Sequence, residues 1–184
     1  MAKSKNILTL GAANGPGFIS AGPFNQPADT RAIMTAGLFM SRSDEWGTPA
    51  KKYAELDAEF HFDLDACANE SNHKCADYYT KEDDGLTKDW GGRRVFCNPP
   101  YGRAIAAWVK KCYEEAQKPG TLVVMLIPAR TDTAYFHDYI YGKAEVRFLR
   151  GRLHFNESKS AAPFPSMVVV FRNQDALPSG VASA

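Results

Sequence analysis

The sequence predicts an α/β protein built on one mostly parallel sheet that ends in a C-terminal antiparallel hairpin. Segments with strand character and segments with helix character alternate along most of the chain. Residues Thr121–Pro128 form an almost continuous apolar run, as expected of a parallel strand that is covered on both faces. Two later apolar runs, Val146–Leu149 and Met167–Phe171, are expected to pair as the hairpin.

Length and composition fit a single globular domain of ordinary charge. The chain has 184 residues, of which 45% are hydrophobic and 12% aromatic, enough for one sizeable core and too few for two. The formal net charge is only +1, so the overall charge does not indicate a nucleic-acid-binding protein. Any attraction to nucleic acid must come from a local basic patch.

Cysteine spacing and the absence of long apolar runs indicate the cellular environment of the protein. Four cysteines occur, at Cys67, Cys75, Cys97 and Cys112. They form no C-x-x-C pair, so we expect buried thiols in a reducing cytoplasm and no metal site. The sequence has no secretory signal and no run of about 18 apolar residues, which predicts a soluble intracellular protein that spans no membrane.

The two ends of the chain differ in composition from its middle. Residues 1–43 are rich in Gly, Ala, Pro, Ser and Asn and are expected to be a flexible arm, with one short helix at Arg31–Met40. The run Gly11–Gly17 looks like a phosphate-binding loop but lacks the Lys-Ser/Thr ending, so we interpret it as part of the arm. The ordered domain is predicted at residues 44–173, followed by a frayed tail at 174–184.

The domain is expected to begin with a helix and a strand. Thr48 reads as the helix N-cap, and the helix is predicted over Pro49–Glu59 with Tyr53 and Leu56 facing inward. The alternating run Phe60–Asp65 predicts the first strand.

Three further strands of the sheet and two helices are predicted in the middle of the domain. Ala76–Tyr79 and Val95–Cys97 read as short strands, and Ile105–Gln117 as an amphipathic helix with Trp108 in the core. After the buried strand Thr121–Pro128, a short helix is expected at Phe136–Tyr141.

A rigid loop, Asn98-Pro99-Pro100-Tyr101, follows the strand Val95–Cys97. In an open α/β sheet, ligands bind at the carboxyl ends of the strands, where this loop must lie. The side-chain oxygen of Asn98 and the carbonyl of Pro99 are hydrogen-bond acceptors that together suit an –NH2 group. Tyr101 offers a flat face for a planar ring. The loop is therefore suited to an aromatic amine such as adenine N6.

Residues from about Asp44 to Arg172 resemble the phage-type DNA N6-adenine methyltransferases, which use S-adenosylmethionine. The resemblance is carried, in this order, by short runs at Asp44–Pro49, Phe62–Ala68, Asp83–Leu86, Asn98–Tyr101, Gly151–Phe155 and Pro163–Ser166. It implies a Rossmann-like class I methyltransferase fold. It also implies base flipping in double-stranded DNA, followed by in-line methyl transfer to adenine N6 without a metal.

The resemblance also implies where the cofactor binds. Trp46 and Thr48 would contact its methionine part, and Asp65 would accept a bond from its ammonium group. Ala66 begins an Ala-Cys-Ala turn at the position of the usual Gly-rich cofactor turn. One carboxylate of the pair Asp83–Asp84 would approach the cofactor's adenine, and the sequence does not decide which.

Candidate DNA contacts lie on the same sheet edge as Asn98 and farther along the chain. Arg130 is a candidate for a phosphate contact. A basic concentration, interpreted as DNA-backbone contacts, contains Arg147, Arg150, Arg152 and Lys159. A cluster that only solvates the surface is the alternative. Phe164 is expected either to flank a flipped base opposite Tyr101 or to pack in the core.

The acceptor loop leaves other functions open. RNA methyltransferases and protein-glutamine methyltransferases share the Asn-Pro-Pro-Tyr loop, so RNA adenine and a glutamine amide are alternative substrates. A non-catalytic nucleic-acid-binding protein is a third alternative, although such a protein has no need for the acceptors of Asn98 and Pro99. By resemblance alone, the setting is a bacterial cytoplasm.

Overall fold

The computed structural model describes residues 46–173. The predicted arm at residues 1–43, the predicted domain start at residue 44 and the predicted tail at 174–184 lie outside the described residues.

The described chain contains two α-helices, six strands and three short helical turns. The helices are α1 (Ala50–Phe60) and α2 (Ile105–Glu115). The strands are β1 (Leu64–Asp65), β2 (Asp77–Tyr78), β3 (Arg94–Cys97), β4 (Leu122–Pro128), β5 (Glu145–Phe148) and β6 (Ser166–Arg172). Two 3-10 turns span Gly85–Thr87 and Phe155–Glu157, and a π-helical turn spans Phe136–Ile140.

All six strands form one sheet in the order β2-β1-β3-β4-β6-β5. The pairs β2–β1, β1–β3 and β3–β4 are parallel, and β6 is antiparallel to both β4 and β5. The mixed α/β class and the antiparallel pairing of the last two strands are therefore confirmed. The link between β5 and β6 is the long segment of residues 149–165, called here the 149–165 loop, so the pair is not a tight hairpin.

Helices on both faces of the sheet bury β4 completely from its second residue onward. Val123 and Met125 point to the face covered by α2 and the π-helical turn. Val124 and Leu126 point to the opposite face, where Phe60 of α1 packs. This alternation explains why β4 reads as a continuous apolar run in the sequence.

Two local predictions near the start of the domain are wrong. Phe60 ends α1 instead of starting a strand, because His61 adopts a left-handed conformation (φ 53°) that terminates the helix. Thr48 does not cap α1. The N-cap position is Pro49, and no side-chain hydrogen bond caps the helix. The Thr48 hydroxyl instead faces Asn98.

The predicted burial of the cysteine thiols is confirmed for three of the four residues. Cys75, Cys97 and Cys112 are buried thiols, whereas Cys67 is partly exposed. Within residues 46–173, none of the helices is long and apolar enough to span a membrane.

Candidate functional site

A cavity of about 660 Å³ opens at the carboxyl edge of the parallel strands. Asp65 at the end of β1 and Asn98 just after β3 line its floor, and Trp46 and Thr48 line one wall. The parallel pairing of β1 with β3 brings these strand ends together. The cavity thus contains most of the residues that the sequence assigned to the cofactor.

The Asn98 side chain is held in one orientation by its partners. Its Nδ2 donates to the Trp46 carbonyl and to Thr48 Oγ1, the latter at 2.9 Å. A backbone carbonyl can only accept, so the amide nitrogen must face Trp46. The amide oxygen therefore points the other way, toward Tyr101.

The expected acceptor of Asn98 is already engaged. The Tyr101 hydroxyl lies 2.8 Å from Asn98 Oδ1 and 3.1 Å from the carbonyl oxygen of Leu126 on β4. Burial raises the pKa of the Tyr101 phenol well above its ordinary value, so the hydroxyl is a neutral donor. An amine that uses Asn98 Oδ1 has to displace the Tyr101 hydroxyl.

Three aromatic rings surround Tyr101 and close one side of the site. The Trp46 and Tyr101 rings are stacked with centroids 6.3 Å apart. Phe164 meets both edge-on, at 5.1 Å from Trp46 and 5.6 Å from Tyr101, and Phe155 lies 5.3 Å from Trp46. Phe164 is half-buried against the core. The structure therefore brings Phe164 into direct contact with Tyr101 and packs it against the core.

Asp65 is a buried carboxylate that lines the cavity and is 2% exposed. It accepts backbone N–H groups from Cys67 (3.3 Å) and Lys74 (3.0 Å), which lower its pKa. Burial outweighs them and raises the pKa of Asp65 to about 6. Ala66, the next residue, is fully buried in the core, and its neighbours Cys67 and Ala68 line the cavity.

The side chains of the acidic run Glu82-Asp83-Asp84, which follows β2, point to different places. Asp84 lines the cavity and adopts a left-handed conformation (φ 52°). Asp83 turns to its own loop, where Oδ2 accepts from the Thr80 N–H (2.9 Å) and hydroxyl (2.8 Å). Glu82 also lines the cavity. Glu82 was not among the residues predicted from sequence, although it belongs to the same acidic run.

Gly85 lets the acidic run approach the end of β1. A Cβ atom at this position would lie 2.3 Å from the carbonyl oxygen of Ala66, which is a backbone atom that cannot move alone. The close approach positions the cavity wall that carries Asp84. Lys74 and Lys81 also line the cavity, and no sequence motif indicated them.

The predicted basic residues divide into two kinds. Arg150 and Arg152 are exposed on the 149–165 loop, and Arg152 lies 3.3 Å from the Ala162 carbonyl. Arg130 follows β4 and is exposed, with Asp132 at 3.4 Å. Arg147, in contrast, donates twice to Glu59 (2.6 and 2.7 Å) and once to Glu145 (2.6 Å). Its charge is neutralised, so it does not add to the basic concentration.

Among the described residues, no group of three or more His, Cys, Asp and Glu side chains could hold a metal ion.

A protein-family model described as DNA N-6-adenine-methyltransferase (Dam) matches residues 36–182. The chain belongs to this family. The expected enzyme class, an adenine-specific DNA methyltransferase, is thereby confirmed at the level of the family.

Two phage proteins are similar to this Dam-family chain. A DNA N-6-adenine-methyltransferase of Haemophilus phage HP1 is 31% identical over 139 residues, which are 71% of this chain and 80% of the phage protein. One of Escherichia phage T1 with the same name is 35% identical over 112 residues, 60% of this chain. The match covers only 46% of the T1 protein's length.

Proposed function

We propose that this protein transfers a methyl group from S-adenosylmethionine to N6 of adenine in duplex DNA, after flipping the base out of the helix. The single observation that carries the proposal is that Asn98 and Pro99, which carry the predicted acceptors, line a large cavity in a chain of the Dam family. The sheet order and pairing are compatible with a Rossmann-like class I methyltransferase fold.

The cavity fits S-adenosylmethionine in size and chemistry. Its volume lies within the roughly 300–1,000 Å³ typical of small-molecule sites. Asp65 is a desolvated carboxylate at its floor, and an ammonium group beside it would offset the cost of burying its charge. Asp84 and Glu82 supply acceptors on another wall, and of the two candidates Asp84 is the one we assign to the cofactor's adenine.

The residues around Asn98 orient the amine that reacts. The bonds from Asn98 Nδ2 to Trp46 and Thr48 hold Oδ1 toward the position of Tyr101, where it can accept one N6 hydrogen. The Pro99 carbonyl accepts the other. Both bonds favour a tetrahedral nitrogen whose lone pair is no longer delocalised into the ring. S-adenosylmethionine, when bound, supplies the electrophilic methyl group, and orientation and electrostatics supply most of the acceleration.

Aromatic contacts and surface cations would bring the base to this point. Flipping a base costs a few kcal/mol, and stacking on Tyr101 would return about 1–3 kcal/mol. Phe164 lies edge-on to Tyr101 and can contact the rim of the same base. The exposed cations Arg130, Arg150 and Arg152 lie after strands that end at this edge and are suited to DNA phosphates.

The test is methyl transfer from labelled S-adenosylmethionine to duplex DNA, with modified nucleosides identified by mass spectrometry. We expect N6-methyladenine in DNA from the wild-type chain. Asn98→Ala should lower kcat by at least about 100-fold, because it removes a transition-state acceptor. It should also weaken cofactor binding a few-fold, since Asn98 holds the Trp46–Thr48 segment.

Other outcomes would redirect the proposal. Label in RNA adenine or in a glutamine amide, with none in DNA, would keep the cofactor and replace the substrate. Cofactor binding without transfer to any of these would indicate a non-catalytic nucleic-acid-binding protein. Near-normal turnover by Asn98→Ala would contradict the assigned role of Asn98. The phage origin of the relatives supports a bacterial cell as the setting.

A further inference from the structure

Asn156, in the middle of the 149–165 loop, is bonded to the wall of the cofactor cavity. Its Oδ1 accepts the Gly47 N–H at 2.7 Å, and its own N–H donates to the Gly47 carbonyl at 2.9 Å. The two residues lie 109 positions apart in the chain. The reciprocal pair of bonds fixes both the position and the direction of the Gly47 backbone.

The backbone of Asn156 is built for this contact. It adopts a left-handed conformation (φ 50°, ψ 30°), which Asn and Asp tolerate better than other side chains apart from Gly. The contact is equally close at Gly47. A Cβ atom on Gly47 would lie 2.2 Å from Asn156 Oδ1, so a larger residue at position 47 has to displace the Asn156 side chain.

The segment that Asn156 holds is the one that orients Asn98. Gly47 stands between Trp46, whose carbonyl accepts from Asn98 Nδ2, and Thr48, whose hydroxyl accepts from the same nitrogen. Both acceptors of the Asn98 amide nitrogen thus depend on the placement of one backbone segment, and residues 46–48 all line the cavity.

The loop that carries Asn156 also carries the exposed cations and part of the aromatic cluster. Arg150 and Arg152 precede Asn156 on this loop, and Phe164 follows it. Phe155, adjacent to Asn156, is buried and packs edge-on against the Trp46 ring at 5.3 Å. Any contact that shifts the loop therefore acts directly on the Trp46–Thr48 segment.

We propose that Asn156 is a positioning residue that ties the DNA-facing 149–165 loop to the Trp46–Thr48 segment, and through that segment sets the cofactor site and the Asn98 amide. The inference rests on the proposed function, because it assigns the loop to DNA and the cavity to S-adenosylmethionine. It predicts that the Asn156 side chain, in addition to its backbone N–H and the packing of Phe155 on Trp46, couples the DNA-facing loop to the cofactor site.

The test compares three variants at position 156 by calorimetric titration with S-adenosylmethionine and by steady-state methyl transfer to duplex DNA. Asn156→Gly keeps the left-handed backbone and removes the acceptor. It should weaken cofactor binding about 3- to 10-fold, raise KM for the cofactor and lower kcat. Asn156→Asp keeps an acceptor for the Gly47 N–H and should stay within about twofold of wild type. Asn156→Ala adds backbone strain and should lower Tm further than Asn156→Gly.

A double-mutant cycle with Gly47→Ala separates positioning from direct obstruction of the cavity. In the wild-type background, the added methyl group has to displace the Asn156 side chain. Gly47→Ala should therefore weaken cofactor binding about as much as Asn156→Gly does. In the Asn156→Gly background the space is open, so Gly47→Ala should add little. Non-additivity of this kind is expected only if both changes break the same contact.

The possible failures are distinguishable. In one, the wild-type protein binds the cofactor and methylates DNA while Asn156→Gly has the same Kd, KM and kcat, or while the effects in the cycle are additive. Either result would overturn the role of Asn156 and leave the proposed function intact. A lower Tm for Asn156→Gly with unchanged KM and kcat would make Asn156 merely structural and would also overturn it. A wild-type chain that binds no S-adenosylmethionine would overturn the proposed function, and this inference with it.

Discussion

At the scale of single residues, the site is organised by the competition for one oxygen atom. Asn98 Oδ1 is the acceptor that we propose for the adenine amine, and the Tyr101 hydroxyl occupies it at 2.8 Å. The hydroxyl has a second acceptor, the Leu126 carbonyl at 3.1 Å, so it can leave Asn98 without losing all hydrogen bonding. Under the proposed function, Tyr101 would satisfy Asn98 in the ligand-free protein and give way to the substrate amine.

This competition separates the two roles of Tyr101. Tyr101→Phe removes the competing hydroxyl and keeps the ring, so methyl transfer to DNA should retain at least about a third of its wild-type kcat/KM. Tyr101→Ala removes the stacking face and should lose about tenfold or more, because stacking contributes about 1–3 kcal/mol per base. Steady-state assays on a duplex oligonucleotide check both. Equal losses in the two variants would show that the hydroxyl, and not the ring, carries the function.

If Asp65 contacts the cofactor as proposed, cofactor binding should depend on pH. Burial raises the pKa of its carboxyl to about 6, and only the ionised form attracts the ammonium group of S-adenosylmethionine. Affinity should therefore be constant above about pH 7 and fall as the carboxyl takes up a proton, to about one tenth at pH 5. Calorimetric titration across this range measures the change.

The matched control for this pH dependence is Asp65→Asn, which removes the titrating group. It should bind the cofactor more weakly at pH 7 and show no comparable loss between pH 7 and pH 5. A wild-type affinity that does not change over the same range would contradict the contact between Asp65 and the ammonium group.

At the scale of secondary-structure elements, the 3-10 turn at Gly85–Thr87 fixes one wall of the cavity against the end of β1. Its closest contact is between Gly85 and the Ala66 carbonyl, where a methyl group would have to fit within 2.3 Å. The indole N–H of Trp90, which is fully buried, donates to the Gly85 carbonyl at 3.1 Å and holds the turn from below. The turn can move only if the packing on both sides gives way.

Gly85→Ala should therefore act on stability and on cofactor affinity together. Overpacking of this kind costs typically about 1–3 kcal/mol, measurable by denaturant unfolding. Displacement of the turn also carries Asp84 away from the cavity, so the affinity for S-adenosylmethionine should fall more than tenfold. Gly91→Ala is a control, because its Cβ would meet only side-chain atoms, Asp89 Oδ1 at 3.2 Å and Lys118 Cδ at 3.6 Å, and no backbone. Cofactor affinity in Gly85→Ala equal to that of the control would contradict a role for the turn.

At the scale of the whole molecule, the sheet could be predicted from sequence far better than the contacts that complete the site. The apolar run of β4 and the amphipathic repeat of α2 are local patterns, and both elements lie where predicted. The engagement of Asn98 by Trp46 and Thr48 and the bonds from Asn156 to Gly47 join distant parts of the chain. Hydrogen bonds of this kind leave no periodic signal, so the sequence assigned Thr48 to a helix cap and did not identify Asn156.

The distribution of charge on the whole molecule predicts how it binds DNA in salt. Each phosphate contact that is lost lowers the slope of log K against log salt by about 1. Arg150→Ala and Arg152→Ala should each reduce the steepness of this slope by about 1. The slope is measured by fluorescence anisotropy titrations with a duplex of arbitrary sequence, between about 50 and 200 mM salt. Both side chains are exposed on the 149–165 loop.

Arg147→Ala is the matched control, because it removes the same charge from a neighbouring position. The Arg147 guanidinium is already bound by Glu59 and Glu145, so its removal should leave the salt slope unchanged. With a formal net charge of only +1, DNA affinity must depend on where cations lie and not on how many there are. A slope lowered equally by all three substitutions would contradict this assignment and indicate that overall charge alone drives binding.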